Sequence, residues 1–380
     1  MTSTIAERQN NKRLIIVIDE FPYLARKNKA LLSEFQHIID KKLQFTNLFL
    51  IISGSYMGFM EKEILSSKSP IFGRRTSQLK MLPFDYKTSL NFVKNYTNEE
   101  KLKFYGALGG TPLYLKQINT KQSFELNLKN LFLKPTSYLY EETLLLLRQE
   151  VQEPGIYSAI IESIANGYSK SNEISTRIGE EPAKCLKYIN TLYELGLITK
   201  ETPFGEKENS RKTIYSISDL MFRFWYRFVY DNKTLVETGA VNAIWEKKIN
   251  PFFDEYMGLV FEKVCKEYLL RLNAIGKLPF LFTKIGRWWG SGVNKEQIEI
   301  DIIASDKSDY LICECKWKKE LTGLSVLNKI REKADIFNKN RKNTYFILFS
   351  KSGFTKSLIE ESKKVDNLLL IDLKSIIVLK

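Results

Sequence analysis

The chain has 380 residues, 44% of them hydrophobic, which is enough for two or three domains with separate cores. No apolar run reaches the roughly 18 residues needed to span a bilayer, and MTSTIAERQNNKRL at the start lacks a signal-peptide pattern, so a cytoplasmic protein with no membrane partner is expected. The net charge of +14 divides into +8 from residue 221 onward and +6 before it. A basic excess spread in this way favours anionic partners, DNA first, unless it is only the mark of a lysine-rich composition. Cys185, Cys265, Cys313 and Cys315 show no C-x-x-C spacing and His37 is the single histidine, which argues against a zinc site and against a histidine-based triad.

In chain order, RLIIVIDE over residues 13–20 is a continuous apolar run ending in Asp19 and Glu20. Such a run predicts a parallel strand buried on both faces, with acids at the end where open α/β sheets bind ligands. Leu31, Leu32, Phe35, Ile38 and Ile39 recur at helical spacing, predicting a helix over 29–42. A second buried strand over 47–53 ends in Ser53-Gly54-Ser55, whose hydroxyls either read a γ-phosphate or cap the next helix. Gly73-Arg74-Arg75, Pro83 and ALGGTPLYL at 107–115 follow, then a leucine-rich helical stretch over 123–152.

LIIVIDEFPYL, LFLIISGSYMGFM, PIFGRRT, MLPF and GGTPLYL together resemble the archaeal-type ATPase family of the AAA+ class over about residues 13–118. The resemblance implies a Walker B role for Asp19, holding the Mg²⁺ of ATP, and for Glu20, polarising the attacking water. It also implies a polar sensor at Ser53 or Ser55 and an arginine finger at Arg74 or Arg75. The family's Gly-Lys-Ser/Thr phosphate loop lies upstream of Walker B, yet the 12 residues before Arg13 contain no glycine. ATP binding, expected of full-length relatives, is therefore expected to be weak here. The N-terminal domain is read as truncated or degenerate, or as completed by a partner chain or a homo-oligomer.

Three helical segments follow: IYSAIIESIANG, SKSNEISTRIG and PAKCLKYINTLYELGLI, then a charged Gly205-containing loop returning to a strand by Tyr215. This order predicts a winged helix-turn-helix. If it binds DNA, Lys184 and Lys187 on the third helix lie near phosphates, and Arg211 and Lys212 lie on the wing; the alternative is a protein-contact module. TIYSISDLMFRFWYRFV at 213–229 has aromatics at helical spacing and is expected to be a buried clamp between domains.

The C-terminal region predicts a helix over 254–272, strands over 280–285, 297–304 and 310–317, a helix over 323–338, a strand over 343–349, a helix over 354–364 and a strand over 368–372. RWWG at Arg287–Gly290 reads as an aromatic turn, a lid or packing. Side chains alternate along a strand, so Glu314 and Lys316 project together while Glu299, Asp301 and Ile303 share a face of the preceding strand. Carboxylates on otherwise apolar strands are costly unless paired or bound to a cation, and oxygen ligands suit Mg²⁺ or Mn²⁺. A two-sided sheet with solvated charges is the competing reading.

Asp301, Glu314-Cys315-Lys316 and the preceding helix carrying Glu262 resemble the PD-(D/E)-x-K nuclease superfamily, with Ile300 where its proline usually stands. The resemblance implies a catalytic set of Asp301, Glu314, Lys316 and Glu262, with a metal on Asp301 and Glu314. The expected fold is multidomain α/β + α: a partial P-loop AAA+ α/β domain over 1–150, a winged helix-turn-helix over 151–220, and a restriction-endonuclease-like α/β domain over 221–380. The expected function is an archaeal-type ATPase fused to a metal-dependent DNA nuclease, the alternative being a non-catalytic DNA-binding or regulatory module.

Overall fold

The computed structural model describes residues 13–28, 30–55, 57–207, 210–292, 294–307, 309–337 and 343–378. The chain divides into two compact units, residues 1–82 with 148–152, and residues 83–147 with 153–380. No helix among the described residues is long and apolar enough to cross a membrane.

In the first unit, β1 (Leu14–Ile18) leads through α1 (Phe21–Lys27) and α2 (Leu31–Lys41) to β2 (Leu48–Ile52). The two strands pair in parallel from Leu14↔Leu48 to Ile18↔Ile52. Phe21 and Ala25 of α1 join Leu32, Ile64 and Ile71 in a small core, against which Ile18, Phe35 and Ile52 pack. The expectation of strands buried on both faces fails. Alternate residues on the other face stay exposed, Ile15 at 61%, Val17 at 59%, Phe49 at 40% and Ile51 at 38%. The described helices supply apolar side chains to one face only, and an unbroken apolar run does not reveal which of its faces will be covered.

The second unit contains α3 (Asn98–Leu108), α4 (Phe124–Phe132) and most of α5 (Glu142–Glu150). Thr97 and Glu100 form a capping box that fixes the start of α3. The MLPF and GGTP stretches, 26 residues apart at Phe84 and Gly110, meet through a hydrogen bond of 2.9 Å from the Phe84 N–H to the Gly110 carbonyl. A Cβ on Gly110 would fall 1.8 Å from the Phe84 carbonyl oxygen, so this approach requires glycine.

Next come α6 (Pro154–Ala165), α7 (Ser171–Ile178) and α8 (Pro182–Glu194), then β3 (Ile198–Glu201) antiparallel to β4 (Ile214–Ile217). Pro154 and Pro182 sit in the first turns of their helices, where a missing N–H costs nothing. Ile160, Ile161, Ile174, Cys185, Ile189 and Leu192 are buried. The aromatic segment forms α9 (Leu220–Phe228), capped by Asp219, which buries Phe222, Phe224, Trp225, Tyr226 and Phe228. Trp225 donates to the Tyr140 carbonyl at 2.8 Å and Tyr226 to Ser158 at 3.0 Å, so this helix ties earlier helices together.

The C-terminal part begins with the long helix α10 (Asn250–Ala274) and a sheet of order β5-β6-β7-β8-β9. The strands are β5 (Lys284–Ser291), β6 (Gln297–Ser305), β7 (Asp309–Lys316), β8 (Asn343–Ser350) and β9 (Leu368–Asp372). The first three run antiparallel and the last three parallel. Between β7 and β8 lies α11 (Leu324–Phe337), whose Leu327, Ile330 and Ala334 share a core with Ile303, Ile312 and Leu348. Helices α12 (Lys356–Ser362) and α13 (Leu373–Val378) complete the unit. Arg287–Gly290 is strand, not the expected turn: Trp288 pairs with Ile300 and Trp289 with Glu299, after a bulge between Gly286 and Trp288. The segment between β3 and β4 lies against this strand, with the Phe204 N–H donating to the Arg287 carbonyl at 2.8 Å.

Candidate functional site

Two positions apart on β7, Glu314 and Lys316 share a face. Lys316 Nζ donates to Glu314 Oε1 at 2.5 Å, and Lys333 Nζ of α11 donates to Oε2 at 2.8 Å. The Glu314 side chain is only 8% exposed, so each oxygen is matched to an ammonium as burial of a carboxylate requires. Asp301 lies on β6 just beyond Ile302↔Cys313, the last paired position of the β6–β7 ladder. There its Oδ2 accepts the Cys315 N–H at 2.7 Å, a side chain satisfying the strand where the ladder opens.

Glu262 of α10 stands 4.0 Å from Arg287 on β5, which also pairs with Glu299. The Arg287 Nε is buried without a hydrogen-bond partner among the described residues. Burial, then the charge of Glu314, pushes the Asp301 carboxyl up to about 6. Burial, then the charge of Asp301, pushes Glu262 up to about 8. Lys316 has the opposite balance: burial opposes its charge, but Glu314 outweighs it and its pKa is raised. Asp301, Glu314 and Lys316 are thus brought to one end of the β6–β7 pair, with Glu262 in electrostatic reach of Asp301.

Among the described residues no three Asp, Glu, His or Cys side chains converge closely enough to enclose a metal. Asp301, whose proton affinity burial and then Glu314 raise, together with Glu314 nevertheless fits Mg²⁺, which commonly takes one or two protein carboxylates with water and phosphate oxygens for the rest. Sequence reasoning missed Lys333 and Arg287. A lysine late in an amphipathic helix gives no signal until the helix is packed against its strand, and Arg287 was hidden in an aromatic segment that reads as a turn.

At the end of β1, Asp19 Oδ1 accepts the Ser53 hydroxyl at 2.6 Å and the Glu20 N–H at 3.0 Å. These two bonds, Ser53 first, hold the Asp19 carboxyl below its usual range. Glu20 takes a left-handed backbone conformation at φ 50°, uncommon for a side-chain-bearing residue. Its carboxylate accepts the Ser55 hydroxyl at 2.9 and 3.1 Å. A Cβ on Gly54 would lie 2.5 Å from Pro22 Cδ, so the SGS turn closes directly over the DEFP turn. Both serines therefore engage the acids.

The two arginines separate. Arg74 is clamped in a fork on Asp40, Nε to Oδ1 at 2.7 Å and NH2 to Oδ2 at 2.8 Å, and this pairing raises its own pKa and lowers that of Asp40. Arg75 is exposed, lies 5.7 Å from the Phe72 ring centroid and donates to the Leu65 carbonyl at 3.2 Å.

On α8, Lys184 and Lys187 are exposed opposite the buried Cys185, Tyr188, Ile189 and Leu192, and Lys184 pairs with Glu180 at 3.2 Å. Arg211 and Lys212 are exposed between β3 and β4. Lys212 pairs with Glu206 at 2.9 Å, and its carbonyl accepts the Trp289 indole N–H at 3.2 Å.

Residues 2–118 match a family described as an ATPase domain predominantly from Archaea, and residues 225–334 match one described as "Archaea bacterial proteins of unknown function". The chain belongs to the archaeal-type ATPase family. Over 367 residues, 96% of this chain and 80% of the relative, it is 35% identical to the uncharacterized protein MJECL04 of Methanocaldococcus jannaschii. The uncharacterized protein MJ0424 of the same organism is 47% identical over 45 residues, 12% of this chain and 44% of that protein.

Proposed function

We propose that this archaeal-type ATPase family protein carries a metal-dependent phosphodiesterase centre of the PD-(D/E)-x-K kind, acting on DNA, in its C-terminal region. The supporting observation is the convergence of Asp301, Glu314 and Lys316, with Asp301 pushed up to about 6 by burial and by Glu314. Asp301 and Glu314 would hold Mg²⁺ or Mn²⁺, with Glu262 assisting. Such an ion supplies Lewis acidity and lowers the pKa of a coordinated water. Lys316, which contacts Glu314 here, would orient the attacking water and stabilise charge on the phosphate. Water adds at phosphorus and one bridging P–O bond breaks, leaving a phosphate monoester and a hydroxyl. Lys333 would hold Glu314 in place through its Oε2.

The domain reading that accompanies this is a truncated AAA+ ATPase region over 1–150, from Walker B onward, a winged helix over 151–220 and a nuclease-like region over 221–380. In the first, Asp19, Glu20 and Ser53 would serve Mg²⁺-bound ATP. Arg75 is the better arginine finger, because Arg74 is held by Asp40. In the second, Lys184, Lys187, Arg211 and Lys212 would meet DNA phosphates.

A second reading is favoured by one observation: both Glu314 oxygens are already neutralised by lysines, which suits a DNA-associated scaffold without a metal. Incubation of the full chain with plasmid and single-stranded DNA in Mg²⁺, Mn²⁺ or EDTA separates the two. Metal-dependent cleavage lost in Asp301→Asn supports the nuclease. Binding without cleavage in either metal overturns it and leaves the scaffold.

A further inference from the structure

A cavity of about 300 Å³ in the second unit is lined by Lys87, Lys94, Lys101 and Arg271, with Thr88 and Asn91 as neutral hydrogen-bonding neighbours and no carboxylate among the described residues of its wall. The cations come from separate places: Lys87 from the short helix Tyr86–Ser89, Lys101 from α3, Arg271 from the last turn of α10, and Lys94 from the segment between. Convergence from several segments differs from the lysine stripe of a solvated helix face, where neighbours point outward and separate. Lys87, Lys101 and Arg271 are half-buried, so their charges are only partly screened.

The wall is also pre-positioned. Asp85 caps the Tyr86–Ser89 helix through the Thr88 N–H at 2.8 Å and pairs with Arg271, fixing the guanidinium beside the cavity. Lys87 is held by the Ile377 carbonyl. Burial, then the neighbouring Arg271 charge, presses the Lys87 pKa below its ordinary value, with Asp85 opposing.

The site is separate from the Asp301 centre. Glu262 and Arg271 are nine residues apart on α10, about two and a half turns and 14 Å along its axis, so they leave the helix on opposite sides. A DNA strand lying at Glu262 is therefore not simply continued into the cavity. The volume is at the small end of ligand sites.

We propose that this cavity binds the phosphoryl group of a small molecule, such as inorganic phosphate, pyrophosphate or the phosphate end of a mononucleotide. Lys94, Lys101 and Arg271 supply the charge, and Thr88 and Asn91 supply directional hydrogen bonds. Calorimetric titration of the full chain with pyrophosphate, and separately with a short single-stranded DNA, tests it. The proteins are wild type, the double variant Lys94→Gln/Lys101→Gln, and Asp301→Asn as a control at the other centre. The expected result is pyrophosphate binding weakened at least about tenfold in the double variant, with its circular dichroism spectrum retained, and unchanged in Asp301→Asn. No binding by wild type at millimolar pyrophosphate overturns the proposal, as does binding that the double variant leaves intact. Dependence of DNA binding alone on the two lysines overturns it in favour of a nucleic-acid track. Because Asp301→Asn is scored separately, failure here and failure of the nuclease reading are distinguishable.

Discussion

Two aspartates at strand ends make opposite use of the same side chain. Asp19 stands at the exposed end of β1, accepts two hydrogen bonds and is held below the usual carboxylate range. Asp301 stands at the buried edge of the β6–β7 ladder, accepts one N–H, faces another carboxylate and is pushed up to about 6. The first is stabilised as an anion by dipoles and needs no cation to remain charged. The second has its charge opposed by burial and by a neighbouring carboxylate, which the proposed cation would relieve. Exposure and local donors, not residue type, separate a carboxylate held as an anion from one whose charge is opposed.

The sharpest way to break this contrast is to remove the frustrated carboxylate. Asp301→Asn should reduce metal-dependent DNA cleavage by about 1,000-fold, roughly 4 kcal/mol of transition-state stabilisation, and Lys316→Ala should do nearly as much. An intact rate in either variant would leave the pair without a catalytic role.

Next in size is the backbone approach that supports the second unit. Gly110→Ala places a methyl against the Phe84 carbonyl and should cost about 3 kcal/mol, read as a lowered denaturation midpoint. An unchanged midpoint would mean that the Phe84–Gly110 contact yields easily.

Glu262 gives a pH test of the same frustration. Its folded pKa, near 8, lies above the unfolded value, so the native state binds the extra proton. The associated stability is present below about pH 4.5 and is lost as pH rises through about 8. Glu262→Gln should abolish this slope and raise stability at pH 9 by on the order of 2 kcal/mol, as measured by urea unfolding at pH 5 and pH 9. Parallel curves for the two proteins would show that the carboxylate is already relieved. Smallest is Arg74→Ala, which should lower the thermal midpoint only slightly because the Asp40 pair is partly exposed. A large fall would recast the Arg74–Asp40 fork as a keystone of the first unit.

Much of the C-terminal sheet was legible because each strand is an apolar run cut by polar residues. The expected strands at 297–304, 310–317, 343–349 and 368–372 fall within a residue of those found. The exception, β5, begins four residues late and runs on through Arg287–Gly290, because two glycines and two tryptophans mimic a turn while the bulge absorbs the irregularity. The placement of Asp301, Glu314 and Lys316 at one end of the β6–β7 pair was legible from alternation and the Glu-Cys-Lys spacing. Their partners were not. Lys333 becomes a neighbour of Glu314 only when α11 packs, and the grip of Ser53 and Ser55 on Asp19 and Glu20 arises from a parallel pairing across 34 residues. The exposed face of β1 and β2 was illegible for a different reason: hydrophobicity records a preference for burial, not which faces the described elements cover.

The most direct measurement is Mn²⁺ binding to the full chain by electron paramagnetic resonance, without nucleic acid, for wild type, Asp301→Asn and Asp19→Asn. The account predicts a bound Mn²⁺ population that disappears in Asp301→Asn and persists in Asp19→Asn. An identical Mn²⁺ signal in wild type and Asp301→Asn, or none in wild type at millimolar Mn²⁺, would contradict it.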